Sequence, residues 1–121
     1  MESLDLQAFS YDHRDRVTSS LLGVFQRCGG WLHGHKPVSA TQVEFRLEIQ
    51  LRTIVEFYAS LVESGIELTR PTHHALTDLC TRRKYRRISA MLGRTVGLRL
   101  VITFLDEPDL ATLLDRSQTH A

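Results

Sequence analysis

Six histidines in a chain of 121 residues invite a search for metal-ligand spacing. His33 and His35 lie two apart, so on an extended strand their rings would project from one face. Zinc needs three or four nitrogen, sulfur or carboxylate donors converging on one point. No C-x-x-C or H-E-x-x-H spacing supplies the remainder, and the adjacent His73 and His74 chelate poorly together. They would join the first pair only if the fold carried Pro71 to the first hairpin. Histidines at the rim or facing solvent are the plainer reading, so neither a metal nor another cofactor is expected.

Nucleophilic catalysis finds little support. No G-x-S-x-G turn presents a serine, and Gly93-x-x-x-Gly97 lacks the lysine and hydroxyl of a phosphate loop. Cys28 follows Arg27, which would lower a thiol pKa, but it falls on an apolar helix stripe where a buried structural thiol is expected. Glu44 and Glu48 share a strand face about 13 Å apart by strand rise, too far to act as a carboxylate pair on one bond. A non-enzymatic protein with no catalytic residues is the expectation. The strongest charge feature is Arg82, Arg83, Lys84, Arg86 and Arg87 around Tyr85. A nucleic-acid site would use those cations on phosphates and the tyrosine for stacking. The simpler meaning is a solvated helix end whose positive charge complements the helix dipole.

The element that must position most of these residues is Val43 to Leu51. Val43, Phe45, Leu47, Ile49 and Leu51 alternate with Glu44, Arg46, Glu48 and Gln50. A period of two predicts a strand with one dry face and one wet face. The carboxylates on the wet face argue against an RNA platform, which needs exposed aromatics on adjacent strands. Before it, Trp31 to Val38 predicts a hairpin partner with Trp31, His33 and His35 on one side, and Pro37 places that strand at an edge. Residues 4–11 predict a first strand. A helix follows on the stripe Val17, Leu21, Val24, Phe25 and Cys28, started by Asp12 or Asp15 and stopped at Gly29. Thr53 to Ser64 predicts a second helix, and Ile66 to Arg70 a short extended piece ended by Pro71.

The order strand, helix, strand, strand, helix, strand predicts an α+β, ferredoxin-like βαββαβ antiparallel sheet with two helices on one face. Residues 72–121 extend it, packed on the core of a single domain spanning 1–121. Thr72 would cap a helix that the basic run closes, Leu98 to Leu105 predicts a further strand, and Asp109 to Arg116 a short closing helix. That strand could lengthen the sheet, pair with the piece at Ile66, or offer an edge to a second subunit. Its apolar side chains favour the same sheet.

A formal charge of +1, from 15 basic and 14 acidic residues, steers the whole chain toward neither nucleic acid nor membrane. Two cysteines are too few for a disulfide framework. The amino-terminal residues lack the pattern of a signal peptide, and a cytoplasmic location is expected.

The order of elements resembles the ACT and ACT-like regulatory domains over residues 4–70. The local match lies in Asp15-Arg16 opening the first helix, Leu21-Leu22 within it, and Gly29-Gly30 before the second strand. Where that family often has Pro-Gly after the Asp-Arg pair, this chain has Val17-Thr18. The resemblance implies a regulatory or ligand-sensing domain with a small effector such as an amino acid, and a sheet face left bare by the helices, with its mixed Glu/Arg pattern, predicts a homodimer. The effector would be held near Asp12, Asp15, Arg16, Gly29 and Gly30. Trp31, Glu44, Arg46 and Glu48 form the expected dimer surface.

Overall fold

The computed structural model describes residues 2–85 and 94–105. In chain order the elements are β1 (Glu2–Ser10), α1 (Arg14–Arg27), β2 (Trp31–Ser39), β3 (Gln42–Gln50), a 3-10 turn (Leu51–Thr53), α2 (Ile54–Glu63), β4 (Glu67–Leu68), α3 (Arg70–Tyr85) and β5 (Thr95–Phe104). Alternation in β3 has its expected result: Val43, Phe45, Leu47 and Ile49 are buried and Arg46 is exposed.

The five strands form one mixed sheet in the order β2-β3-β5-β1-β4. A ferredoxin-like order would set β1 directly against β3. Instead β5 lies between them, parallel to β1 and antiparallel to β3, so the sheet is not wholly antiparallel. The reason lies in composition. Val96, Leu98, Leu100, Ile102 and Phe104 are buried on one face of β5, and Val101 is buried on the other. A strand with one continuous apolar face and an apolar Val101 on the other suits a central place with neighbours on each side, although Arg99 keeps its open face partly polar.

Three helices cover one face of the sheet. Leu21, Val24 and Phe25 of α1, Ile54, Phe57 and Leu61 of α2, and Leu76 and Leu79 of α3 join the dry residues of β1, β3 and β5 in one core. Phe25 ties the layers together, edge-on to Phe45 at 5.6 Å and stacked with Phe57 at 6.0 Å.

Helix ends follow local chemistry. Gly29 takes φ +68°, the Gly30 N–H donates to the Phe25 carbonyl at 2.9 Å, and the Gly29 N–H donates to the Gln26 carbonyl at 3.2 Å. This is a Schellman stop, as the glycine pair predicts. The start of α1 differs from expectation. His13 holds the cap position with no side-chain bond, while the Asp12 carboxylate accepts from the neighbouring His13 N–H at 2.8 Å.

The start of α3 differs too. Pro71 lies in its first turn, where the fixed φ suits a helix and the missing N–H costs nothing. Thr69, not Thr72, sits before the helix, its hydroxyl accepting from the Thr72 N–H at 3.4 Å. The buried Thr72 hydroxyl instead accepts from the Gln7 N–H of β1 at 2.8 Å. Arg86, Arg87, Gly93 and the expected helix at Asp109 to Arg116 lie outside the described residues. Among the described residues no helix is long and apolar enough to cross a membrane.

Candidate binding face

With the helices on one side, no described element covers the opposite face of the sheet, and register places its polar residues in rows. Gly34, Arg46, Arg99 and Asp5 lie side by side across β2, β3, β5 and β1. The next row holds Lys36, Glu44, Val101 and Gln7. Arg46 and Arg99 are therefore direct neighbours, an arrangement of like charges that is unfavourable alone.

Glu44 resolves it. Its carboxylate accepts from Arg46 Nε at 2.5 Å and lies 3.1 Å from Arg99 Nε, which leaves Glu44 only 3% exposed beside the buried Val101. The Arg46 hydrogen bond, helped by Arg99 and by the charge of both guanidinium groups, holds the Glu44 carboxyl below its ordinary range against the opposing effect of burial. The same contact raises the pKa of Arg46. Asp5 is a looser partner, 3.9 Å from Arg99 Nη1 and mostly exposed.

His33 donates from Nε2 to the Glu48 carboxylate at 2.9 Å. Both wet-face carboxylates of β3 are thus engaged within the chain, Glu44 by two guanidinium groups that offset its charge and Glu48 by a histidine. The expected grouping of His33 with His35 is not formed. A register shift between Leu32 and Gly34 puts His33 and Gly34 in succession on the open face, and the His35 ring stacks on Phe45 at 5.7 Å on the helix side.

Two depressions flank Arg46. One, of about 200 Å³, is lined by His33, Gly34, His35, Lys36, Glu44 and Arg46. The other, of about 330 Å³, reaches Ser3, Asp5, Gly97 and Arg99 and is bounded by Glu48. On the helix side, Tyr58 Oη and His73 Nδ1 share a hydrogen bond of 2.6 Å beside a cleft lined by His74, Thr77 and Asp78. His73 and His74 are thus on α3, remote from β2. Among the described residues no three His, Cys, Asp or Glu side chains gather as a metal site.

The remaining expected site residues are dispersed. Asp12, Asp15 and Arg16 lie at the start of α1, with Arg16 ion-paired to Asp12 at 3.5 Å. Gly29 and Gly30 lie past its other end, about 20 Å away by helix rise, and are accounted for by the helix stop. Trp31 is 48% exposed at the β2 edge of the open face, in register with Glu48. Arg82 is ion-paired with Asp78 at 3.0 Å, one turn earlier on α3. Burial pushes the Cys28 thiol up, opposed by a hydrogen bond with Ser60 and by Arg27.

Arg99 and Lys36 were not singled out by the sequence. The signal for Arg99 is a lone cation inside the apolar run Leu98 to Phe104; for Lys36 there is none until the register pairs it with Glu44. Comparison with protein-family models, curated proteins and solved structures finds no match.

Proposed function

We propose that this protein is a non-catalytic regulatory or ligand-sensing domain that works as a homodimer through the open face of its sheet. Such a domain would keep the ferredoxin-like frame with β5 inserted at its centre. The observation that carries the reading is the contrast between that face and the sheet edges. β2 has register shifts between Leu32 and Gly34 and between Pro37 and Ser39, and β4 is two residues long. Bulges, a proline and a short edge strand all oppose strand addition. Among the described residues the face has no such guard. Trp31 and Phe9 are 48% and 39% exposed there, and Lys36, Arg46 and Arg99 balance Asp5, Glu44 and Glu48. A face carrying both signs tolerates its own copy across a two-fold axis. Glu44, enclosed by its two arginines, supports that surface from beneath and leaves Trp31, Arg46 and Glu48 to meet the second copy.

A ligand on this face would act by changing association, since a ligand that prefers one state shifts the equilibrium toward it. Light scattering across a hundredfold range of protein concentration tests the dimer. The expected result is a concentration-dependent dimer that Trp31→Glu converts to monomer; a wild-type monomer throughout the range would end this reading.

A further inference from the structure

The depression on the β2 side of Arg46 carries donors for which the described residues supply no acceptor. Lys36 stands directly across from Glu44 in register, where a cross-strand ion pair would normally form. Glu44 is already engaged by Arg46 and Arg99. Among the described residues, no hydrogen bond or ion pair engages the Lys36 ammonium or Arg46 Nη1 and Nη2. Arg46 uses only Nε toward Glu44, so its two terminal nitrogens remain as donors on a side chain 63% exposed.

Between these cations lies Gly34. A Cβ built there meets no heavy atom within 4 Å, so the neighbouring side chains do not demand a glycine; its bare backbone leaves open space. The depression holds two cations against one enclosed carboxylate. The larger one beyond Arg46 is bounded by the acidic Asp5 and Glu48, which makes it the poorer place for an anion.

We propose that Gly34, Lys36 and Arg46 form a binding site for a small oxyanion group, a phosphate or a carboxylate, with Glu44 as the positioning residue that holds the Arg46 guanidinium in place. Guanidinium and ammonium donors suit such a group because charge-assisted hydrogen bonds are short and strong. The site rests on the open face being the working surface, and it would supply the ligand that the regulatory reading requires.

The test is an amide-resolved titration of the full ¹⁵N-labelled chain with inorganic phosphate and, separately, with acetate, at constant ionic strength against chloride. Saturable shifts centred on Gly34, Lys36 and Arg46 are expected with at least one oxyanion and not with chloride. The one that saturates at lower concentration identifies the class. Lys36→Ala should weaken binding about tenfold, the loss of roughly one charge-assisted bond. Gly34→Val should abolish it by filling the depression. Unsaturable shifts, an equal response to chloride, or unchanged affinity in Lys36→Ala would each overturn the site. Light scattering on the same samples separates this outcome from that of the dimer.

Discussion

Glu44 organises the open face, because two guanidinium groups take their positions from one carboxylate. Its lowered pKa has a definite consequence for stability. The folded state holds the carboxylate ionised below the unfolded value of about 4.3. Its contribution is therefore present above that pH and is lost as pH falls through the lower folded value. Glu44→Gln removes that dependence. The melting-temperature difference between wild type and Glu44→Gln should be largest near neutrality and shrink on acidification below the ordinary carboxylate range. A difference that stays constant on that acidification would show that the carboxylate charge is not what matters. At this scale the sequence was informative about type and misleading about environment. Glu44 reads as a solvated wet-face charge, and only the register that brings Arg99 beside it explains its enclosure.

At the scale of elements, a buried hydroxyl joins the start of α3 to β1, beside the core packing of Leu76 and Leu79. Thr72 accepts from the Gln7 N–H and shares a 2.9 Å hydrogen bond with the Thr69 hydroxyl. Thr72→Val keeps the shape but leaves the Gln7 amide without that acceptor. A loss of about 1–3 kcal/mol is expected in chemical denaturation, with Thr72→Ser close to wild type. Equal stability of Thr72→Val and wild type would mean that the amide finds another partner. Elements with strong periodicity were legible: β3 runs Gln42–Gln50, α1 ends at its glycine pair, and α2 covers Ile54–Glu63. The departures have local causes that composition conceals. Pro71 begins a helix rather than ending a strand, and a register shift in β2 turns His35 from the face of His33. One added residue in a strand reverses every parity beyond it.

For the whole molecule, the last described strand is the middle of the sheet. β5 pairs with β1 along Glu2 to Ser10 and with β3 along Gln42 to Gln50. These pairings span nearly the whole chain, so the core closes only when β5 is in place. A chain ending at residue 94 should therefore be largely unfolded by circular dichroism and amide dispersion. Native-like dispersion in that fragment would show that β1 and β3 can pair without β5, as the ferredoxin-like order assumes.

Sequence alone determined most of the described strands and helices, where α1 stops, and which face of β3 is dry. These follow from side-chain period and from the few residues that end helices, both local properties. Tertiary structure alone decided that β5 enters between β1 and β3, that Arg99 stands beside Arg46, and that Lys36 faces a carboxylate already taken. The central place of β5 depends on pairings with β3 and β1 between residues 45 or more positions apart, and the register of β2 on a shift within its own strand. No local pattern records which strand becomes a neighbour, and on this open face the neighbours decide which donors are left for a ligand.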